Sequence, residues 1–171
     1  MDIGNSERWF VARTRWCQEL KVREKLAALG VENFIPTRET FRERRGRKVK
    51  AEVPVIRNFV FLRTTKSKAL ALVNGVGLPM YYMIDHCTGT LLEVPVKQME
   101  DFMRVMDLDP DALCEENEPL QPGNRVRVTK GDLAGVEGDV IALPNRTYVV
   151  VSVCSLLRAK VQIPRAYLEL L

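Results

Sequence analysis

The chain has 171 residues, of which 46% are hydrophobic and 28% charged, enough to bury one medium core or two small ones and too apolar for a disordered chain. Its net charge of +4 is mild, so overall charge does not decide between nucleic-acid and protein partners. No window approaches the roughly 18 apolar residues of a membrane span, and the polar N-terminus has no apolar run behind it. We therefore expect a cytoplasmic protein that does not contact a membrane.

The four cysteines are widely scattered and form no C-x-x-C pair. They indicate neither a zinc site nor a disulfide framework, and we expect them to be reduced and structural. His86 stands beside Cys87, but adjacent side chains point apart, and no orienting carboxylate is identifiable. The sequence therefore predicts no catalytic residue, no metal site and no cofactor, and we expect a protein that is not an enzyme. The cysteines are Cys17, Cys87, Cys114 and Cys154.

The first half of the chain predicts an α+β sandwich, because segments with strand and helix periodicity alternate along it. The last helix has an apolar face at spacings of three and four, which is typical of a helix packed on a sheet. The predicted elements are the strand Trp9–Arg15, the helix Gln18–Leu29, the strands Val31–Thr40 and Val53–Arg63, a helix from Thr64 or Thr65 to Val73, a hairpin over Tyr81–Pro95 and a helix over Val96–Met106.

A basic run lies between the second and third predicted strands and carries six cations, one acid and Gly46. This composition favours a mobile hairpin tip over a core element. Such a tip is suited to salt-sensitive contacts with a phosphate backbone of DNA or nascent RNA, and the alternative is a solvated hairpin end. The basic residues are Arg42, Arg44, Arg45, Arg47, Lys48 and Lys50.

The segment Asp107–Glu118 has six acids, no Lys or Arg, and a proline at position 110. That composition is typical of a linker. Beyond it, short strands recur with turn signals between them and predict a small SH3-like β-barrel. These strands are Arg125–Thr129, Val136–Leu143, Tyr148–Val153, Arg158–Ile163 and Tyr167–Leu170.

Glycines in the first two barrel strands permit a tight turn and a kink, while valines at alternate positions point to the core. The pattern resembles the KOW motif, and the alternative is that any small SH3-like barrel needs such glycines. The residues of the motif are Val126, Val128, Gly131, Gly135, Gly138 and Val140.

The N-terminal half resembles the N-terminal domain of the NusG family. Trp9-Phe10 at the first strand, the amphipathic helix, the segment 30–36 and the aromatic strand 57–62 occur in the family's order, so the two resemblances cover nearly the whole chain. Housekeeping members usually have Pro-Gly-Tyr where this chain has Arg57-Asn58-Phe59, and the chain looks more like the specialised UpxY and RfaH types. The UpxY likeness, which includes the ending 161–168, implies a factor for capsule or surface-polysaccharide operons.

In that family an apolar patch on the N-terminal domain binds the clamp helices of the largest subunit of RNA polymerase. By motif position the resemblance places this patch on Phe59 and Phe61, with Arg13 on the neighbouring strand. Phe59 and Phe61 share one side of their strand, as an anchor surface requires. The alternative is that both rings face the core, in which case Val60 and Leu62 face outward.

Specialised members also read the exposed non-template DNA strand through basic residues at the start of the first helix. Arg15, Lys21 and Arg23 lie in the matching region, and Trp16 is available for base stacking. The alternative is a solvated helix face.

Together these features predict a monomeric transcription elongation and antitermination factor that binds elongating RNA polymerase. The predicted domains are a NusG N-terminal-like domain over residues 1–106, an acidic linker over 107–118 and a KOW barrel over 119–171. By analogy the barrel recruits NusE on the ribosome or the termination factor Rho. A free-standing KOW-type RNA-binding or ribosome-associated protein is the alternative.

Overall fold

The computed structural model describes residues 6–114 and 123–171. The chain divides into two compact units, Met1–Val96 and Lys97–Leu171. The acids at positions 115, 116 and 118 of the predicted linker, and the first residues of the predicted barrel domain, lie outside the described residues.

The first unit is built on a five-stranded antiparallel sheet. The elements of this unit are β1 (Arg8–Thr14), α1 (Glu19–Ala28), β2 (Glu32–Phe34), β3 (Thr37–Arg44), β4 (Arg47–Pro54), β5 (Phe59–Thr64), α2 (Lys66–Asn74), β6 (Met80–Tyr82), β7 (Ile84–Asp85), β8 (Thr90–Leu91) and β9 (Glu93–Val94). The strand order in the sheet is β2-β5-β1-β6, and β9 also pairs with β1. Two separate hairpins are formed by β3 with β4 and by β7 with β8.

One face of this sheet packs with apolar residues of α1 and α2 to form a core. The central strands β1 and β5 are buried along both faces, which matches their unbroken apolar runs Trp9 to Ala12 and Phe59 to Leu62. The core residues are Phe10, Ala12, Val22, Leu26, Val31, Ile35, Val60, Leu62, Ala69, Leu72, Leu78 and Met80.

Local signals account for the element ends. The hydroxyl of Thr65 accepts a hydrogen bond from the Lys68 N–H at 3.3 Å, so the predicted capping of α2 is confirmed. The predicted strand Val31–Thr40 is divided instead, because β2 ends before Pro36 and β3 begins after it. Proline has no N–H to donate to a ladder.

The second unit contains a helix and an antiparallel sheet of five strands. Its elements are α3 (Val96–Leu108), β10 (Arg125–Val128), β11 (Glu137–Leu143), β12 (Arg146–Val153), β13 (Leu157–Gln162), a 3-10 turn (Arg165–Tyr167) and β14 (Leu168–Leu170). The sheet order is β13-β12-β11-β10-β14, and among the described residues its edge strands β13 and β14 do not pair with each other. Because the first unit mixes helices with a sheet and the second adds a helix and short antiparallel strands, the predicted α+β class is confirmed.

Helix α3 belongs to the second unit by its contacts, whereas the sequence placed it in the first. Lys97 and Arg104 donate to backbone carbonyls of residues 132–135 at 2.6 to 2.8 Å. The buried carboxylate of Asp101 accepts the Glu137 N–H at 3.1 Å. These residues recur at spacings of four and three, so they form one polar side of the helix. The boundaries 1–106, 107–118 and 119–171 stay a prediction.

The beginning of the predicted linker pairs with the sheet of the second unit. Leu113 forms an antiparallel bridge with Ala159, and the Cys114 N–H donates to the Arg158 carbonyl at 2.8 Å. Residues 112 to 114 therefore add to the edge of β13.

Within residues 6–114 and 123–171, no helix has the length and apolar character needed to cross a membrane.

Candidate functional site

The predicted basic tip is part of a long β-hairpin. Strands β3 and β4 pair over their whole length, and the turn between them is Arg45-Gly46, with φ angles of 51° and 74°. Two positive φ values in a two-residue loop are the geometry of a type I′ hairpin turn, and Gly46 adopts its value without a Cβ penalty. Every residue from 41 to 50 is exposed, so the six basic residues lie on a projecting arm.

The register separates these residues onto two faces of the hairpin, because opposite residues share a face and neighbours along a strand do not. On one face, which we call the arginine face, Arg44 is opposite Arg47 and Arg42 is opposite Val49. On the other, which we call the mixed face, Glu43 is opposite Lys48 and Phe41 is opposite Lys50. Sequence reasoning missed Arg38, which lies opposite Val53 on the arginine face.

The base of the hairpin is fixed to α1 by an ion pair. Two guanidinium nitrogens of Arg23 donate to the carboxylate of Glu52, each at 2.6 Å, and the Thr37 hydroxyl donates to the same group at 2.6 Å. The hydrogen bonds from Arg23, which have the larger effect, and from Thr37 lower the pKa of Glu52 from 4.5 to about 2. The hydrogen bond to Glu52 in turn raises the pKa of Arg23. At neutral pH the pair is fully ionised, so Arg23 is engaged in positioning the hairpin.

Trp16 is displayed on a constrained turn between β1 and α1. Its side chain is 83% exposed, and Trp16 and Cys17 have φ angles of 53° and 52°. Left-handed geometry costs roughly 1–2 kcal/mol for a residue with a Cβ. The turn is held by Asn58, whose side-chain oxygen accepts the Cys17 N–H at 3.1 Å and whose own N–H donates to the buried Glu19.

The surroundings of Trp16 are basic. Arg15 and Lys21, both predicted for nucleic-acid contact, are exposed. Arg57, which sequence reasoning missed, is also exposed and precedes the Asn58 that contacts the turn. The structure therefore keeps Arg15, Trp16 and Lys21 accessible, while Arg23 is bound to Glu52.

Phe59 and Phe61 are buried, with 7% and 0% of their surface exposed, and their rings stack at 6.5 Å between centroids. Both rings are therefore buried, as the alternative expected, but Val60 and Leu62 are fully buried as well and do not face outward. The cause is that β5 is a central strand with both faces covered. The polymerase-binding role of the two rings stays a prediction.

Arg13 lies on the same face of the sheet as Phe59 and is more exposed to solvent. Its guanidinium lies 4.6 Å from the centroid of the Phe59 ring, and its Nε is buried with no hydrogen-bond partner among the described residues. In the register Arg13 is flanked by Phe59 on β5 and Tyr81 on β6, and Tyr81 is 48% exposed. Sequence reasoning missed Tyr81, since its position depends on a pairing between distant segments.

The KOW-like glycines meet two different requirements. Gly131 and Gly135 have φ angles of 83° and 90° in the turn between β10 and β11. At Gly138 the requirement is space, because an added Cβ would collide with the carbonyl oxygen of Val150 and lie 2.8 Å from Val149 Cγ1. Of the three valines of the motif, Val126 and Val128 are buried as expected, and Val140 is partly exposed.

His86 and Cys87 are exposed in the turn between β7 and β8. The Asp85 carboxylate accepts the Cys87 N–H at 2.8 Å and the Thr88 hydroxyl at 3.1 Å, and these bonds lower the pKa of Asp85. This carboxylate therefore stabilises the turn. In the described part of the chain no cluster of His, Cys, Asp and Glu could hold a metal ion. The expectation that the chain is not an enzyme stays a prediction.

Comparison with known proteins gives a family match. Residues 7–103 match the family model described as transcription termination factor nusG. No curated protein matches the chain. The structure is similar to one described as "Domain interaction in Thermotoga maritima NusG", with 18% identity, coverage of 97% of this chain and 98% of that one, and a TM-score of 0.51. A structure described as "MjSpt4:Spt5 complex conformation B" has 14% identity, coverage of 95% and 96%, and a TM-score of 0.29.

Proposed function

Because the chain belongs to the NusG family, we propose that it binds elongating RNA polymerase and suppresses pausing or termination. The observation that carries the proposal is the family match over residues 7–103, a range that contains the whole sheet of the first unit, the hairpin and the Trp16 turn. The partner surface that we propose on the polymerase is the clamp region of its largest subunit.

We place the polymerase contact at the row formed by Phe59, Arg13 and Tyr81. These residues lie side by side across β5, β1 and β6, and exposure increases from Phe59 to Tyr81. Tyrosine and arginine are enriched among the residues that dominate interfaces.

The proposed mechanism is a shift of population. A factor that prefers the closed clamp over the open one stabilises the closed state by its difference in affinity, and pausing falls as the open state is depleted. Within this complex, Trp16 is proposed to stack on a base of the non-template strand, with Arg15 and Lys21 close to its phosphates.

The second unit is proposed to recruit a further partner, NusE on the ribosome or Rho, while the first unit holds the polymerase. A tether between two binding modules raises the local concentration of the second partner without a new contact. The proposed setting is the transcription of long capsule or surface-polysaccharide operons, and the proposed acting form is a monomer.

The test is retention of polymerase by the tagged full chain after DNase and RNase treatment of a lysate. We expect the polymerase to remain bound. Replacing Arg13 and Tyr81 together by alanine should weaken retention more than about tenfold, the loss expected for anchor residues of an interface. The matched control replaces an exposed arginine and tyrosine of the second unit, Arg146 and Tyr167, and should retain polymerase fully.

Two results would contradict the proposal. Loss of polymerase from the unmodified chain on nuclease treatment, with ribosomal proteins retained instead, would favour a free-standing RNA-binding or ribosome-associated protein. Equal weakening by both pairs of substitutions would show that the row on the first sheet is not the contact.

A further inference from the structure

The two faces of the β3–β4 hairpin differ in charge compensation. On the mixed face, Glu39 forms an ion pair with Lys50, and Glu43 lies opposite Lys48. Glu52, near the base, is neutralised by Arg23. The arginine face carries no acid at any of its paired positions, and its cations are Arg38, Arg42, Arg44 and Arg47.

Cations on the arginine face repel one another. Arg44 and Arg47 are directly opposite in the ladder, and like charges at opposite positions destabilise a strand pair. Arg42, Arg44, Arg45 and Arg47 are exposed, and in residues 6–114 and 123–171 none of them forms an ion pair. An anionic ligand at Arg42, Arg44 and Arg47 would relieve this repulsion.

From this asymmetry we infer that the arginine face binds the phosphate backbone of double-stranded DNA and that the mixed face does not. Single-strand binding sites combine positive charge with aromatic rings on which bases stack. Phe41 is 71% exposed but lies on the mixed face, and the paired positions of the arginine face hold no aromatic residue. Cations without a stacking ring fit the backbone of a duplex, which presents its phosphates and keeps its bases stacked.

The Arg23–Glu52 pair gives this surface a fixed direction. Glu52 lies on the mixed face, and its carboxylate is bound to α1, so the mixed face is turned towards the helix at the base of the hairpin. At the base of the hairpin the arginine face is consequently on the side away from α1. Arg23 is thus a positioning residue for the surface.

The inference is independent of polymerase binding, since duplex binding can be measured with the full chain alone. The experiment is a titration of a short, labelled DNA duplex of arbitrary sequence, followed by fluorescence anisotropy at several salt concentrations. One variant replaces Arg42 and Arg44 by serine. Its matched control replaces Lys48 and Lys50 by serine and removes the same number of positive charges from the same hairpin. The Arg13 and Tyr81 alanine variant should bind the duplex as the unmodified chain does.

We expect the Arg42→Ser, Arg44→Ser variant to bind more weakly and its salt dependence to flatten by about 2 in log–log slope, roughly 0.9 for each phosphate that is no longer neutralised. The lysine variant should keep the original slope. Equal weakening in both variants would overturn the inference, because it would show a diffuse charge effect. Tighter binding of a single strand than of the duplex, with the same dependence on Arg42 and Arg44, would also overturn it.

Discussion

Replacing Phe61 by alanine should lower the free energy of unfolding of the first unit by about 3–5 kcal/mol. The ring is fully buried on a central strand, stacked on Phe59 and paired through its backbone with Val11 on one side and Phe34 on the other. Removing the ring deletes buried apolar surface and leaves a cavity over the face of the sheet, which closely packed neighbours fill only in part.

Phe41 provides the matched control, because it is the same residue type in the same unit but is 71% exposed. Phe41→Ala should change the stability by less than about 0.5 kcal/mol. Chemical denaturation followed by circular dichroism measures both. A Phe61→Ala protein as stable as the Phe41→Ala protein would show that this ring is not part of the core, and it would support the surface anchor predicted from the sequence.

Replacing Gly138 by alanine should disrupt the pairing of β11 with β12 and destabilise the second unit by an amount at the upper end of the ~1–3 kcal/mol typical of overpacking. The added Cβ meets the backbone carbonyl of Val150, which is fixed in the ladder and cannot move aside as the end of a flexible side chain would.

The comparison is Gly135→Ala, where the φ angle is 90° and, among residues 6–114 and 123–171, an added Cβ would have only a terminal nitrogen of Arg104 within 4 Å. That change should lower the free energy of unfolding by only roughly 1–2 kcal/mol, the penalty for a residue with a Cβ in the left-handed conformation. Amide hydrogen exchange distinguishes the two cases. Gly138→Ala should remove protection along β11 and β12, and Gly135→Ala should alter only the turn; the reverse pattern would contradict the assignment of these glycines.

The sequence predicts best the features that depend on neighbouring residues. The helix start at Thr65, a hairpin turn within Tyr81–Pro95 and the amphipathic helix α3 all follow from local chemistry and are present in the structure. The unbroken apolar run of β5 also signalled a strand buried on both faces. The period of two places Phe59 and Phe61 on one side of the strand, but by itself it does not predict that Val60 and Leu62 on the other side are buried as well.

Features that depend on distant pairing were not predictable in the same way. Tyr81 lies beside Arg13 only because β6 pairs with β1, and nothing within either segment specifies that register. The amphipathic pattern of α3 predicted a buried face but not the unit it joins. The two faces of the hairpin are a different case, because Arg38, Arg42 and Arg44 alternate with Glu39, Phe41 and Glu43 in the sequence. Treating the basic run as a loop hid that period of two.

Specialisation within the family depends on features that a family match does not distinguish. The match over residues 7–103 covers the first unit from residue 7 and the first part of α3, and the similarity to the Thermotoga maritima structure, at 18% identity, shows the fold. The operon served and the partner of the second unit depend on surface residues such as those around Trp16, and surface residues are little constrained by the fold.

The most direct test of the proposed function is the lifetime of a transcriptional pause, measured with purified RNA polymerase halted on a DNA template and then released with and without the full chain. We expect the chain to shorten the pause, and the Arg13, Tyr81 alanine variant to do so only at much higher concentration. A chain that binds the elongating polymerase and leaves the pause lifetime unchanged, or lengthens it, would contradict the proposed function.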